Sequence, residues 1–134
     1  MIVVDTNLLV YYWISGPRTA VAEAVHRKDP EWAAPLLWRS EFRNALAGLV
    51  QQRNITLDVA LHLASRAEDQ MAGREYGIIA PRILILAARS GCTAYDCEFV
   101  ALAEELELPL VTTDGDLLRA FPAIAIRPET FLAA

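Results

Sequence analysis

The 134-residue sequence predicts an α/β fold, a mostly parallel sheet with helices covering both of its faces. Two observations predict it. Short apolar or β-branched runs alternate with longer stretches of helical periodicity along the whole chain. No repeat, low-complexity tract, long linker or shift in composition interrupts that alternation, so one domain over residues 1–134 is expected.

IVVD (2–5) is the first element, a short buried strand ending in a carboxylate. Thr6 and Asn7 can cap the helix that follows through LLVYYWI. Ser15-Gly16-Pro17 breaks it, and TAVAEAVHRK (19–28) restores helical periodicity. Beyond Asp29-Pro30, EWAAP reads as a strand stopped at Pro35. LLWRSEFRNALAGLVQQR (36–53) is a strongly amphipathic helix. A turn at 54–56 separates it from LDVALHLASRAEDQMA, a helix with Thr56 as N-cap and Asp58 in its first turn. EYGII (75–79) is a candidate strand, and PRILILAARS a helix begun by Pro81 and stopped by Gly91. TAYDCEFVALAEEL (93–106) is the next helix. PLVTTD (109–114) is a β-branched strand that again ends in an acid, GDLLRAF a short helix, AIAI (123–126) a last strand, and Pro128 begins a terminal turn.

Hydrophobic residues make up 54% of the chain and mean hydropathy is +0.27. The apolar runs are nevertheless broken, as where Arg82 interrupts GIIAP and ILILAA, and none approaches the roughly 18–20 residues of a membrane span. MIVVD has no basic start or cleavage-type region, so a signal peptide is not expected and a cytoplasmic location is. Cys92 and Cys97 fit no metal or redox spacing and read as two buried thiols; His26 and His62 are far apart, so no zinc site is expected. The surplus apolar residues, with Trp13 and Trp38, fill either the core or a partner surface.

Chemistry is carried by carboxylates. On a helical wheel of about 100° per residue, Phe99, Leu102, Ala103 and Leu106 gather around Tyr95, whereas Glu98, Glu104 and Glu105 fall opposite. Asp96 joins the apolar side, near Ala103 and Val100. It is either a first-turn charge serving the helix or a group facing a cation, since an unpaired carboxylate there is costly. Glu41 lies at the edge of an arc of Leu37, Trp38, Phe42, Ala45, Leu46 and Leu49. Asp5 and Asp114 end strands, and ligands of open α/β sheets sit beyond the carboxyl ends of strands where the winding reverses. Four acids in one place repel unless a cation compensates them. An all-oxygen set suits Mg²⁺ or Mn²⁺, which can sharpen a water nucleophile and offset charge on a phosphoryl oxygen.

MIVVDTNLLV, SEFRNAL, TAYDCEFVALA and LVTTDGDLL resemble, in that order, the four acidic motifs of PIN-domain ribonucleases, most closely the toxin subunits of VapBC-type toxin–antitoxin pairs. The resemblance runs almost end to end. It implies a PIN-like five-stranded parallel sheet sandwiched by helices. It also implies an Mg²⁺- or Mn²⁺-dependent endoribonuclease that leaves 5′-phosphate and 3′-hydroxyl ends. Asp5, Glu41, Asp96 and Asp114 carry over as the catalytic acids, with Asp5, Asp96 and Asp114 chiefly holding metal. Glu41 is a further ligand or the group that orients or deprotonates water. Thr6, Asn7 and Thr112 match polar residues that orient carboxylates and water, and Asp116 is a variable extra acid. An RNA substrate, a cognate antitoxin with a basic tail and a homodimer are the implied partners.

The formal charge of −5 and pI of about 5.0 weigh against a nucleic-acid binder, but the four acids account for four of those five charges. Eleven of the twelve basic residues are arginines, suited to phosphate; Arg39 and Arg43 flank Glu41 and either lead a strand toward it or are merely solvated. Phosphoryl transfer through an aspartyl intermediate is disfavoured, because the single lysine, Lys28, lies in a polar helix tail. The remaining alternative is a non-catalytic module whose acidic cleft docks a basic peptide.

Overall fold

The structure is a computed structural model that describes residues 1–134 throughout. In chain order the elements are β1 (Ile2–Val4), α1 (Thr6–Trp13), α2 (Thr19–Lys28), β2 (Trp32–Pro35), α3 (Leu37–Gln51), α4 (Leu57–Met71), β3 (Glu75–Tyr76), α5 (Ala80–Ser90), α6 (Ala94–Leu106), β4 (Leu110–Val111), α7 (Gly115–Ala120), β5 (Ala125–Ile126) and α8 (Pro128–Ala133). The five strands form one sheet in the order β3-β2-β1-β4-β5, and every neighbouring pair is parallel. The expected architecture is therefore present, with the winding reversing at β1. Parallel crossovers are right-handed, so the helices leading leftward from β1 to β3 and those returning through β4 to β5 take opposite faces.

Local chemistry accounts for the helix limits. Thr56 Oγ1 accepts the Val59 N–H at 3.2 Å and caps α4 as expected. Pro81 sits in the first turn of α5, and Gly91 ends it with φ of 74°, the left-handed conformation that favours glycine. Thr93 caps α6 by accepting the Asp96 N–H at 3.0 Å. The start of α1 differs from expectation. Asp5, not Thr6 or Asn7, is its flanking residue, no side chain caps it, and the Thr6 hydroxyl is committed elsewhere.

The strands are shorter than the apolar runs that announced them. EYGII pairs only at Glu75 and Tyr76, and AIAI only at Ala125 and Ile126. These are the two sheet edges, each with a single neighbour to define its ladder. The core of α6 also departs from the wheel. Cys97, Val100 and Ala101 are buried along with Phe99, Leu102 and Ala103, while Tyr95 is 64% exposed. The helix packs on β1, β2 and β4 and against α5, which together bury most of its circumference. Val3, Val4, Trp32, Ala33, Leu110 and Val111 fill the centre of the core with Trp38, Phe42 and Leu117. No helix is long and apolar enough to cross a membrane.

Candidate active site

Because β1 is the middle strand and β4 its neighbour on the returning side, the carboxyl ends of β1 and β4 mark the reversal point of the sheet. Asp5 follows β1 directly and is 9% exposed; its backbone N–H donates to the Val111 carbonyl of β4 at 3.1 Å. The fully buried Thr112 ties the two strand ends together. Its hydroxyl donates to Asp5 Oδ2 at 2.7 Å and accepts the Asp114 backbone N–H at 3.0 Å. Asp114 caps α7 through Oδ1, which accepts the N–H groups of Asp116 at 2.8 Å and Leu117 at 3.1 Å. Its Oδ2 has no protein donor and remains free to ligate.

Two helices bring the other acids. From α3, Glu41 Oε1 accepts the Thr6 hydroxyl at 2.6 Å, which links the start of α1 to the middle of α3. Asp96 occupies the first turn of α6, half-buried. None of these four carboxylates belongs to an ion pair; every ion pair in the molecule uses other acids. That distinguishes them from Glu68, Glu75 and Asp116, each of which has an arginine.

The electrostatic consequence is visible group by group. Burial pushes Asp5 from its ordinary 3.8 up to about 6, the Thr112 hydrogen bond opposes it, and the charges of Glu41 and Asp96 add to it. Glu41 is raised by burial and then by Asp96, against the Thr6 hydrogen bond. Asp96 is raised by burial and by the charges of Asp114 and Asp116. The repulsions are pairwise: Asp5 feels Glu41 and Asp96, Glu41 feels Asp96, and Asp96 feels Asp114. The four acids are not drawn tightly together: no three of the chain's His, Cys, Asp and Glu side chains form a close ligand group. Like charges favour that spacing. The donors are all oxygen, partly desolvated and outside any ion pair, the chemistry that hard divalent ions take.

Glu98 is an acid that the helical wheel assigned to solvent. It is half-buried, and its carboxyl is raised by burial and by the charge of Glu41. Sequence offered one clue, its place a half-turn beyond Asp96, but that clue could not be read while α6 was taken as one-sided. Asn7 is exposed and its side chain makes no hydrogen bond with the protein.

The arginines fall differently from their order in the sequence. Arg39 holds Glu75 in a fork, Nε at 2.6 Å and Nη2 at 2.8 Å, and Glu75 also accepts the Trp38 indole N–H at 2.7 Å. Arg43 pairs with Glu68 at 3.0 Å. Two residues along a helix is about 200° around it, so neighbours of Glu41 in sequence point away from Glu41 in space. The arginine that does reach the acidic edge is Arg119, paired with Asp116 one turn away on α7; both side chains are about three-quarters exposed (75% and 73%). An exposed pair of this kind is worth at most about 1 kcal/mol and exchanges readily. Beside it opens a cleft of about 430 Å³ walled by Ser90, Cys92, Thr93, Asp96, Asp116 and Arg119. Lys28 is remote, its ammonium donating to the Ala134 carbonyl at 2.7 Å.

The model of the PIN domain family matches residues 2–122 of the chain. Solved structures share the fold at low sequence identity. PAE2754 from Pyrobaculum aerophilum superimposes with a TM-score of 0.77 at 22% identity, over 98% of this chain and 85% of that one. FitAcB from Neisseria gonorrhoeae gives 0.76 at 18% identity, covering 96% and 99%. A toxin–antitoxin complex from Klebsiella pneumoniae gives 0.69 at 21% identity, covering 96% and 98%. No curated protein sequence matches the chain significantly.

Proposed function

Because the chain belongs to the PIN-domain family, whose members are generally nucleases, we propose that it is a metal-dependent endoribonuclease and the toxin of a toxin–antitoxin pair. What supports this reading is that Thr112 ties Asp5 to Asp114 at the carboxyl ends of β1 and β4, Thr6 beside Asp5 ties in Glu41, Asp96 repels both Asp5 and Glu41, and none of the four is ion-paired. Asp5, Asp96 and the free oxygen of Asp114 would hold Mg²⁺ or Mn²⁺. When bound, such an ion supplies Lewis acidity at the scissile phosphate and lowers the pKa of water. Thr112 holds Asp5 in a single orientation and fixes the Asp114 backbone in the same stroke. Glu41, steadied by Thr6 and raised in pKa, is suited to orient water and take its proton.

A partner is supported by two of the structural relatives, which are FitAcB and a toxin–antitoxin complex, and by exposed apolar side chains. Leu57 and Leu61 line a groove of about 310 Å³ between α3 and α4 that suits the apolar face of an antitoxin helix. The basic tail of such an antitoxin would neutralise the four acids in place of metal. Leu84 and Ile85, exposed on α5, are candidates for a homodimer contact.

The test is cleavage of RNA by purified protein with Mg²⁺ or Mn²⁺. Asp96→Asn and Asp5→Ala should retain the wild-type circular dichroism spectrum and lose cleavage by 100-fold or more, roughly the scale of lost ligands and charge stabilisation. Full cleavage by either variant overturns the assignment.

A further inference from the structure

We infer that the cleft between the α5–α6 turn and α7 receives the nucleotide next to the scissile phosphate, with Arg119 exchanging Asp116 for a phosphate of the RNA backbone. The inference rests on the ribonuclease reading and adds a substrate subsite to it.

Three observations converge. The cleft shares two walls, Asp96 and Asp116, with the acidic edge, so a strand lying across that edge runs directly into it. Its volume of about 430 Å³ suits one nucleotide, and its lining is polar, with the Thr93 hydroxyl, whose oxygen caps α6, keeping its own hydrogen for a ribose or base edge. The guanidinium of Arg119 folds back over the start of α7. A Cβ on Gly115 would meet its Nη1 at 3.2 Å, so the missing side chain lets the cation lie over the helix start, paired with Asp116.

Competition among the arginines decides which one serves. Arg39 is locked in a two-pronged bond to Glu75, a carboxylate only 10% exposed, and cannot leave without stranding it. Arg119 touches one exposed acid through a single nitrogen, whereas a phosphate can take its guanidinium through two. Exchange has a second consequence: it frees the Asp116 carboxylate, on the same cleft wall as Asp96, at the moment the substrate arrives.

The test is fluorescence anisotropy with a labelled single-stranded oligoribonucleotide of about ten residues, in Ca²⁺ and over a range of salt. Wild type, Arg119→Ala and Arg119→Lys are compared. Arg119→Ala should weaken binding by about 10-fold and flatten the plot of log K against log salt by about 0.7, the value for one lost phosphate contact on a single strand. Arg119→Lys should restore the slope but only part of the affinity, because it keeps the charge without the fork. Gly115→Ala, which crowds the guanidinium, should fall between the two. An unchanged slope in Arg119→Ala overturns the inference, as does absence of binding by the wild type. Cleavage in Mn²⁺, run alongside on the wild type, reads the ribonuclease assignment separately, so either can fail without the other.

Discussion

In the metal-free protein, Asp5→Asn should stabilise the fold at neutral pH. Asp5 binds its proton more tightly when folded, with a pKa of about 6, than when unfolded, near 3.8. The folded state therefore holds more protons between those values, and stability falls as pH rises through them. Above pH 6 the buried carboxylate is charged at a cost. A displacement of about two units corresponds to about 3 kcal/mol as an upper bound, which water entry and relaxation reduce to about 1–2 kcal/mol. Asparagine removes the charge while its Oδ1 still accepts the Thr112 hydroxyl. The assay is urea unfolding in EDTA at pH 5.0 and 7.5. The expected result is a midpoint about 0.5–1 M higher for Asp5→Asn at pH 7.5, with a smaller difference at pH 5.0. Adding Mn²⁺ should raise the wild-type midpoint and leave that of the variant unchanged. A variant no more stable than wild type at pH 7.5, or one with the same pH dependence, would refute the claim that Asp5 carries uncompensated charge.

Thr112→Val keeps the shape but removes the hydroxyl between Asp5 and Asp114; it should cost about 1–2 kcal/mol in urea and lower Mn²⁺ affinity about 10-fold or more by calorimetry. Thr6→Val frees Glu41 without touching Asp5, so kcat for RNA should fall while Mn²⁺ affinity changes little. Gly91→Ala forces a side chain into a positive-φ position with no steric neighbour and should cost about 1 kcal/mol, read as a lower thermal midpoint. Leu61→Arg on the α3–α4 groove should leave stability and cleavage intact and abolish inhibition by a co-expressed antitoxin.

Sequence pattern announced best the helices with a local boundary signal, Pro81 and Gly91 around α5 and Thr56 before α4. Strand lengths were not legible, since pairing at the edges depends on neighbours far along the chain. Asp5 and Asp114 could be found because they close β-branched runs, and Asp96 because it broke a wheel. Glu98 and Arg119 could not. One needs to know that α6 is enclosed on most sides, and the other that a guanidinium folds back over a glycine. Arg39 and Arg43 are neighbours of Glu41 in sequence, but that adjacency carries a helical rotation with it, and they pair with Glu75 and Glu68.

The pairing of β1 with β4 has a bearing on when activity can arise. Val3 meets Leu110, and the hydroxyl that steadies Asp5 lies 107 residues further along. A ribosome emitting this polypeptide has made nearly all of it before those two strands can zip together. A chain halted partway, or clipped after α6, carries three of the acids yet lacks the strand that orders the first. The pocket between these two strand ends is thus completed only late in translation, after every helix up to α6 has already been made.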